Sequence, residues 1–494
     1  MSNGSSDWKM PRLLYRLTHT ASLENLSPRG LSRRLSLVLL LAWSGFGALV
    51  LAHEPSPSAL SGRIQQLLDQ PRWESSFWGI HIVSLKDGAT LFSSNARKRF
   101  LPASNMKLLI GAAALDLLGP GFRFETPVFG DGPVDAQGRL LGSLVLVGRG
   151  DPNLEARVYS VDQEDLPQTD VAGFALKIAD QLVARGLKSI VGDVIADETW
   201  FLHEPLGQSW ALENLPWSYS APVSSLAANE NALMVEVFPG ESIMNGALLR
   251  PSPLASGLRF INNVRTADRG ETPWIGMDRS PDGEQFTFLG RIPLQHLGLT
   301  YRLAVPEPAI FAARLLKAAL TVKGIAVAGE PKSRQLLPLD VSEQGKLSLD
   351  RVRQMRTTYP EDRKLASLIT LPLAETVKVM MKLSHNLYAE TLLRSLGAQK
   401  VGLGSVETGI AELEQFLERA GIPKEQLSLN DGSGLSRKNL ITPESIVLLL
   451  QYMDHHPQRA AFLDSLPVSG RDGTLRKRMT KGPAFERILA ALNS

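Results

Sequence analysis

The sequence predicts an α/β protein of the α+β kind, in which one helical domain is split by a large, mostly β insertion. Three observations support this fold class. An apolar helical pattern lies near the start, short β-like runs separated by Gly, Pro, Asp and Asn fill residues 125–345, and helical patterns return after about residue 360. At 494 residues the chain exceeds what a single core usually organises, and it contains no internal repeat.

The first part of the split domain has three predicted elements. A helix is expected over "SGRIQQLLDQPRW", from about residue 60. Residues 79–95 alternate around Lys86-Asp87-Gly88, which is typical of a β-hairpin. The next segment, after Pro102, is apolar on almost every face until Gly119-Pro120, so it predicts a buried helix that ends there.

Strands are predicted mainly in the insertion, and helices mainly in the second part of the split domain. "GSLVLVGRG", "SIVGDVIAD" and "NALMVEVF" predict strands, and "VAGFALKIADQLVARG" predicts the one helix expected among them, in a small α/β module. Helices are then expected over residues 365–397, 406–421 and 442–456. The final segment, "PAFERILAALNS", has the pattern of an amphipathic helix.

Composition excludes several classes of function. There is no cysteine, which excludes disulfides, cysteine nucleophiles and thiolate metal sites. The eight histidines show no ligand spacing such as His-Glu-x-x-His, so neither a metal nor another cofactor is expected. Six basic and two acidic residues lie in the first 52 positions, so the rest of the chain is nearly neutral and carries no footprint for nucleic acid.

The N-terminal segment predicts export. Arg33-Arg34 precedes 18 apolar or small residues, Leu35 to Ala52, and His53 opens a Pro/Ser-rich stretch. This order is typical of a signal peptide or a single N-terminal anchor. Residues 1–53 are therefore interpreted as a leader, which places the protein in the periplasm or on the outer face of the cytoplasmic membrane, with peripheral or N-terminal membrane association.

The stretch "PASNMKLL" contains a serine and a lysine three residues apart, Ser104 and Lys107. On a helix the two share a face, and a buried lysine whose pKa falls towards neutrality can take the proton of a serine nucleophile. The alternative is a helix-capping serine and a lysine that reaches water. Because the same spacing occurs at Ser6–Lys9, inside the leader, the spacing alone leaves both readings open.

The surroundings of this pair carry a resemblance. "NARKRFLPASNMKLLIGAAALDLLGPGFRFET" resembles the acylation motif of the low-molecular-mass class C penicillin-binding proteins, the D-alanyl-D-alanine carboxypeptidase/endopeptidase family. Further segments over roughly residues 60–480 resemble that family in the same order: residues 140–154, 190–201, 214–231, 384–397, 429–443 and 466–479. The resemblance implies a serine β-lactamase/transpeptidase-like domain in two parts, residues 60–124 and 346–494, around inserted domains at 125–345.

The resemblance also implies a second motif. Ser-x-Asn, which faces the acylating pair in the family, is Ser384-His385-Asn386 here, between helix signals. Ser384 would relay a proton to the leaving amine, and Asn386 would hold the lysine and the substrate backbone. The tripeptide by itself is weak, because it recurs at residues 93–95 and 428–430. The loop "DGSGLS", residues 431–436, lies near the cleft in the family, and we assign it glycine turns but no chemistry.

Two other patterns are interpreted structurally. "RGD" at residues 149–151 is read as a turn rather than as an adhesion motif. Trp200, Trp210 and Trp217 could line a glycan groove, but packing in a core or interface is favoured for them.

The third family motif, Lys-Thr-Gly or Lys-Ser-Gly on a strand, does not occur in the 494 residues. "TKG" at residues 480–482 has the letters in another order and no strand pattern around it. The second part is therefore expected to be truncated, by a premature end, a frameshift or a deletion, with the last sheet strands absent and an open edge on the hairpin. Loss of one oxyanion donor typically costs roughly 10²–10³ in turnover.

The function expected from the resemblance is that of a serine-type D-Ala-D-Ala carboxypeptidase/endopeptidase acting on peptidoglycan stem peptides. β-Lactam antibiotics would acylate Ser104 as the substrate does, and no cofactor is implied. Two alternatives stay open. One is a non-catalytic remnant that binds cell wall or partner proteins, and the other is a class C type β-lactamase or esterase, which lacks the large insertion.

Overall fold

The structure, a computed structural model, describes residues 57–155, 157–160, 172–343 and 346–490. The predicted leader, residues 1–53, lies outside the described residues. Within the described ranges, no helix has both the length and the apolar character that crossing a bilayer requires.

The described residues form ten α-helices and twenty strands. The helices are α1 Pro57–Leu68, α2 Met106–Leu117, α3 Gly173–Ala184, α4 Pro308–Val322, α5 Leu349–Met355, α6 Leu373–Lys382, α7 Asn386–Val401, α8 Val406–Arg419, α9 Pro443–Asp454 and α10 Arg459–Ser465. The strands are β1 Ile80–Val83, β2 Thr90–Ser94, β3 Glu125–Gly130, β4 Arg139–Leu140, β5 Leu144–Val147, β6 Ser189–Ile190, β7 Val194–Asp197, β8 Ala232–Phe238, β9 Leu248–Ser252, β10 Arg259–Ala267, β11 Trp274–Arg279, β12 Gln285–Pro293, β13 Leu299–Ala304, β14 Ala326–Val327, β15 Pro331–Arg334, β16 Ser342–Glu343, β17 Lys346–Leu347, β18 Lys364–Ile369, β19 Leu427–Ser428 and β20 Leu440–Ile441.

Helix α2 is the centre of the helical core. Its first ten residues, from Met106 to Leu115, are all buried, as its continuous apolar sequence predicts. The helix packs against α6 and α7, and a side chain at Gly111 would meet Met380 and Val377 at 3.4 Å. This arrangement fixes the start of α2, which carries the predicted nucleophile, against the start of α7.

A five-stranded sheet organises the first half of the insertion. Its strand order is β15-β7-β5-β3-β18, with β15, β7 and β5 parallel to one another and the last two pairs antiparallel. Strand β5, "LVLV", is buried at every position, which is typical of a strand covered on both faces. Helices α3 and α4 pack together beside this sheet and form a second core with it.

Two predictions of secondary structure are wrong here. Residues 364–369 form strand β18, which pairs with β3, although helix was expected from residue 365. A short apolar run does not distinguish a strand from a buried helix, and Pro372 separates it from α6. The insertion also contains two long helices, α3 and α4, although the sequence pattern predicts only the first of them.

The hairpin over residues 79–95 is confirmed. Strands β1 and β2 pair antiparallel and, among the described residues, form a two-stranded sheet of their own.

The helix expected over "PAFERILAALNS" is wrong for residues 483–490, and residues 491–494 lie outside the described part. Instead, this segment folds back onto residues 467–469. The amides of Glu486 and Ala490 donate to the carbonyls of Ser469 and Pro467, and Val468 forms a bridge with Leu489. These bonds take the backbone groups that a helix would use internally.

Candidate active site

Ser104 lies on a single 3₁₀ turn, Ala103–Asn105, that leads directly into α2. The turn is shaped by a close backbone approach. Ala103 has φ = +45°, and a side chain at Gly434, whose own φ is +88°, would lie 1.8 Å from the carbonyl oxygen of Ala103. Only glycine fits there. The loop over residues 431–436 therefore packs tightly against the turn that carries the predicted nucleophile.

Lys107 lies one turn further along, 1% exposed, directly beneath Ser104. Its Nζ is 3.0 Å from Ser104 Oγ, 2.7 Å from Asn386 Oδ1 and 2.9 Å from the carbonyl oxygen of Ser433. Burial lowers the pKa of Lys107 to about 7, and the negative charges of Glu390 and Asp431 oppose that shift only in part. At neutral pH a substantial fraction of this lysine is uncharged.

These three contacts define what the neutral amine does. An uncharged amino group has two hydrogens and one lone pair. The Asn386 and Ser433 oxygens can only accept, so they take the two hydrogens. The lone pair is left facing Ser104 Oγ, which is the arrangement that a general base needs before it takes a hydroxyl proton.

Ser384 occupies the turn between α6 and α7. Its φ of +55° is unfavourable for a non-glycine residue, and it directs the side chain into the site. Ser384 Oγ donates a hydrogen bond to Ser104 Oγ at 2.8 Å. Ser104 can therefore accept from one serine while it donates to Lys107, so the three side chains form a continuous path for a proton.

Asn386 is the first residue of α7. Its Nδ2 donates to the carbonyl oxygen of Tyr219 at 2.7 Å, which turns Oδ1 towards Lys107. All four predicted site residues, Ser104, Lys107, Ser384 and Asn386, are thus brought together. Their catalytic roles stay predictions.

The loop at residues 431–436 belongs to the site, although no chemical role was predicted for it from the sequence. The carbonyl of Ser433 accepts from Lys107. Asp431 holds the loop in place, because its carboxylate accepts from the amides of Gly434 and Ser436 and from Trp210 Nε1. An aspartate followed by glycine and serine at alternating positions is the signal that could have indicated this turn.

A second missed group, Glu390, supports the same loop from α7. It is fully buried, and its Oε1 accepts from the amides of Gly432 and Ser433. Its Oε2 pairs with the buried Arg394 at 2.9 Å. Glu390 lies four residues after Asn386 and therefore on the same face of α7. Once Asn386 is placed at the start of a helix, this spacing predicts that Glu390 faces the site.

His385, the middle residue of the Ser-x-Asn motif, points away from the hydroxyls into an ionic cluster. Its Nε2 is 3.1 Å from Glu230, which also pairs with Arg157 and Arg302. Burial opposes ionisation of Glu230, but its interactions with His385, Arg302 and Arg157 outweigh burial and hold its pKa well below the usual range. The cluster holds His385, the residue that directly follows Ser384.

These groups open into a cleft of about 420 Å³. Ser104, Ser384 and Asn386 line it together with Tyr219 and Arg302. Over the described ranges, no group of three or more His, Asp or Glu side chains could hold a metal ion. The arrangement has a serine, a buried amine beside it and a second hydroxyl, the parts needed for acyl transfer.

Comparison with known proteins identifies the family. Residues 60–491 match the family described as "D-Ala-D-Ala carboxypeptidase 3 (S13) family". The chain belongs to this family. It is 31% identical over 438 residues to a D-alanyl-D-alanine carboxypeptidase of an Actinomadura species, covering 87% of this chain and 74% of the relative. It is 25% identical over 436 residues to the D-alanyl-D-alanine carboxypeptidase DacB of Haemophilus influenzae, covering 86% of this chain and 82% of the relative.

The fold is shared as well. The crystal structure of penicillin binding protein 4 (dacB) from Haemophilus influenzae matches with a TM-score of 0.67 at 24% identity, covering 84% of this chain and 83% of that one. A second structure of that protein, in complex with a novel β-lactam, matches with a TM-score of 0.64 at 22% identity, covering 85% and 84%. The predicted family and the predicted transpeptidase-like fold with its insertion are confirmed.

Proposed function

We propose that this chain is a serine-type D-Ala-D-Ala carboxypeptidase/endopeptidase that hydrolyses peptidoglycan stem peptides through an acyl-enzyme. Membership of the S13 carboxypeptidase family supports the substrate class. The observation that carries the mechanism is Lys107 Nζ, buried, with both hydrogens of its neutral form accepted by Asn386 and Ser433 and its lone pair against Ser104 Oγ.

Acylation begins when Ser104 Oγ attacks the carbonyl carbon of the penultimate D-alanine. Lys107 takes the hydroxyl proton as the new C–O bond forms. The tetrahedral intermediate then collapses with cleavage of its C–N bond. The proton held by Lys107 passes through Ser384, which lies 2.8 Å from Ser104 Oγ, to the departing amine of the last D-alanine, and Lys107 is neutral again. The products of this step are D-alanine and an ester on Ser104.

Deacylation repeats the chemistry with water in place of the serine. Lys107 removes a proton from a water molecule that attacks the ester, and the C–O bond to Ser104 breaks. Lys107 passes that proton to Ser104 Oγ, which closes the cycle without a net change in the enzyme. The same steps cleave a D-alanyl cross-link between two stem peptides, because the leaving amine then belongs to the second peptide.

β-Lactams are expected to acylate Ser104 by the first half of this sequence. The strained amide takes the place of the D-Ala-D-Ala bond, and its amine stays attached after ring opening. A solved structure with the same fold is a β-lactam complex, which supports this proposal. The mechanism needs no cofactor, since the base, the nucleophile and the proton relay are all side chains.

Export is part of the proposal, because peptidoglycan lies outside the cytoplasmic membrane. The apolar stretch from Leu35 to Ala52, after two arginines, supports a signal peptide or an anchor. Fractionation of cells expressing the full chain tests this, with a variant lacking residues 35–52 as the control. We expect the full chain in the envelope fraction and the deletion variant in the cytoplasm, and equal distribution would contradict export.

Release of D-alanine from a disaccharide-pentapeptide tests the activity itself. We expect Ser104-dependent release by the wild-type chain and none by Ser104→Ala, with both proteins showing the same thermal unfolding. A folded wild-type chain that binds insoluble peptidoglycan but releases no D-alanine would instead favour the non-catalytic wall-binding alternative.

A further inference from the structure

A second cavity, of about 730 Å³, lies away from the Ser104 cleft. It opens where the parallel strands β5 and β7 end, at Val147 and Asp197, and Gln399 near the end of α7 also lines it. Asn386 at the start of α7 is 13 residues from Gln399, about 20 Å along the helix. Ligands of α/β sheets commonly bind outside the carboxyl ends of parallel strands. We call this cavity, lined by Arg149, Trp200 and Arg356, the arginine cavity.

Two arginines pack on one indole ring in its wall. The guanidinium carbons of Arg149 and Arg356 lie 4.6 Å and 5.0 Å from the centre of the Trp200 ring. Burial and, to a smaller extent, the positive charge of Arg149 lower the pKa of Arg356 to about 10. Burial also lowers the pKa of Arg149. Two like charges are thus held close together and partly out of water, which is unfavourable unless an anion joins them.

The acidic groups of the wall are already engaged. Asp197 accepts from the amide and hydroxyl of Thr199 through one oxygen. Its other oxygen accepts from the hydroxyl of Tyr359 and faces Arg334 at 3.4 Å. Asp197 is therefore turned towards its own neighbours and forms no ion pair with Arg149.

The other two carboxylates of the wall pair with a single lysine. Lys364 Nζ lies 2.5 Å from Glu125 and 3.1 Å from Glu361, and Glu125 also accepts from Ser367. Neither carboxylate forms an ion pair with Arg149 or Arg356.

The two arginines differ in what they already bind. Arg356 donates to the backbone carbonyls of Thr199, Trp200 and Gly402 and acts as a structural clamp. Arg149 has no hydrogen-bond acceptor among the residues that the structure describes. Its guanidinium is held against Trp200, is half-buried and lines the cavity.

We propose that the arginine cavity is a second binding site for peptidoglycan, in which Arg149 holds a free carboxylate of a stem peptide while another stem peptide occupies the Ser104 cleft. The inference rests on the proposed function, because an enzyme that hydrolyses stem peptides binds peptidoglycan as its substrate. A guanidinium fixed on an aromatic ring presents a planar fork, which matches the two oxygens of a carboxylate. The cavity volume suits a peptide fragment rather than a single ion.

The same placement explains the "RGD" turn at residues 149–151. Gly150 has φ = +84°, and a side chain there would meet Ser395 Oγ at 2.6 Å and the Phe201 ring at 2.8 Å. Asp151 is 1% exposed, so it cannot form part of an exposed adhesion motif. Arg149, two residues after the end of β5, thus lines the cavity half-buried, while Gly148 and Gly150 on either side of it are buried.

Binding of a muropeptide that is not a substrate tests this site. The probe is the disaccharide-tripeptide released by muramidase, which carries free carboxylates and has no D-Ala-D-Ala bond. The full chain is first saturated with penicillin to block the Ser104 cleft, and binding is measured by titration calorimetry. The variants are Arg149→Gln and, as a matched control, Arg185→Gln, which removes an exposed arginine beside α3 in the same insertion.

We expect saturable binding to the penicillin-treated wild type and to Arg185→Gln, and at least tenfold weaker binding to Arg149→Gln. The same probe with its carboxylates converted to amides should also bind at least tenfold more weakly. Absence of saturable binding, an Arg149→Gln affinity within twofold of the control, or undiminished binding of the amidated probe would overturn the inference.

Two further measurements keep the outcomes separate. Every variant is compared for thermal unfolding, and if Arg149→Gln does not fold, Arg149→Lys replaces it. Lysine keeps the charge but not the planar fork, so a several-fold loss is expected, and unchanged binding would again overturn the inference. Failure of penicillin to acylate the wild-type chain would count against the proposed function alone, because muropeptide binding at Arg149 does not depend on acylation.

Discussion

The buried amine of Lys107 gives a direct prediction for the pH dependence of acylation. Only the neutral lysine can take the proton of Ser104, and burial lowers the pKa of Lys107 to about 7. The rate of acylation by penicillin should therefore rise with pH up to about 7 and stay level above it. For a lysine in water the rise would continue to about pH 10.4.

The magnitude follows from the neutral fraction. Each pH unit below the pKa reduces the neutral lysine about tenfold, so at pH 5 acylation of Ser104 should run at about 1% of its plateau rate. Substitution of a nearby charge should move the break. Glu390 raises the pKa of Lys107, so Glu390→Gln should shift the break to lower pH, provided that the variant keeps its fold around the buried Arg394.

The assay is time-resolved labelling with a fluorescent penicillin between pH 5 and 9, read from gels, with Ser104→Ala as the blank at each pH. Circular dichroism at both extremes confirms that the protein stays folded over this range. A break at or above pH 9, a rate that does not change with pH, or a shift to higher pH in Glu390→Gln would refute the assignment of Lys107 as the base.

Three further predictions concern the same site. Gly434→Ala should slow labelling of Ser104 strongly, because the new Cβ would lie 1.8 Å from the carbonyl oxygen of Ala103. The control is Gly186→Ala, at a glycine with φ = +81° and no atom within 4 Å of the new Cβ. It introduces similar backbone strain without the clash, so it should label normally. Ser384→Ala should reduce D-alanine release about 10²-fold, since it removes the hydroxyl that passes the proton to the leaving amine. Ser104 should still be labelled by penicillin in this variant. Equal losses of D-alanine release and of penicillin labelling would contradict the role of Ser384. Because the folded-state pKa of Lys107 lies below its unfolded value, the wild type should gain about 2 kcal/mol of unfolding free energy relative to Lys107→Met between pH 7 and 9. The slope approaches about 1.4 kcal/mol per pH unit once the folded lysine is neutral, and denaturant titrations that show no such gain would contradict its burial.

The sequence was sufficient to predict those site residues whose chemistry depends on the type of side chain and on a short spacing. Ser104 and Lys107 are three residues apart where a 3₁₀ turn leads into α2, and Ser384 and Asn386 lie at the start of α7. Their meeting across 280 residues could not be derived from local pattern, and it was the family resemblance that joined them.

The contribution of the loop at 431–436 could not be read from residue type, because the contact to Lys107 comes from the backbone carbonyl of Ser433. Any residue has such a carbonyl, and only the fold decides where it points. Glu390 and Asp431 act on Lys107 through charge and loop position, and both depend on tertiary packing.

The errors in secondary structure have a similar cause. Residues 364–369 have an apolar pattern compatible with helix or strand, and the free edge of β3 decides in favour of a strand. The segment 483–490 has the spacing of an amphipathic helix, but its amides pair with residues 467–469 instead. In both places long-range pairing outweighed local preference.

The proposed function depends above all on formation of an acyl-enzyme at Ser104. Intact-mass spectrometry of the full chain after incubation with penicillin, followed by peptide mapping, tests it directly. We expect a mass increase of one penicillin per chain, located on the peptide that contains Ser104 and absent in Ser104→Ala. A folded chain that gains no mass, or one whose adduct maps to another residue, would contradict it.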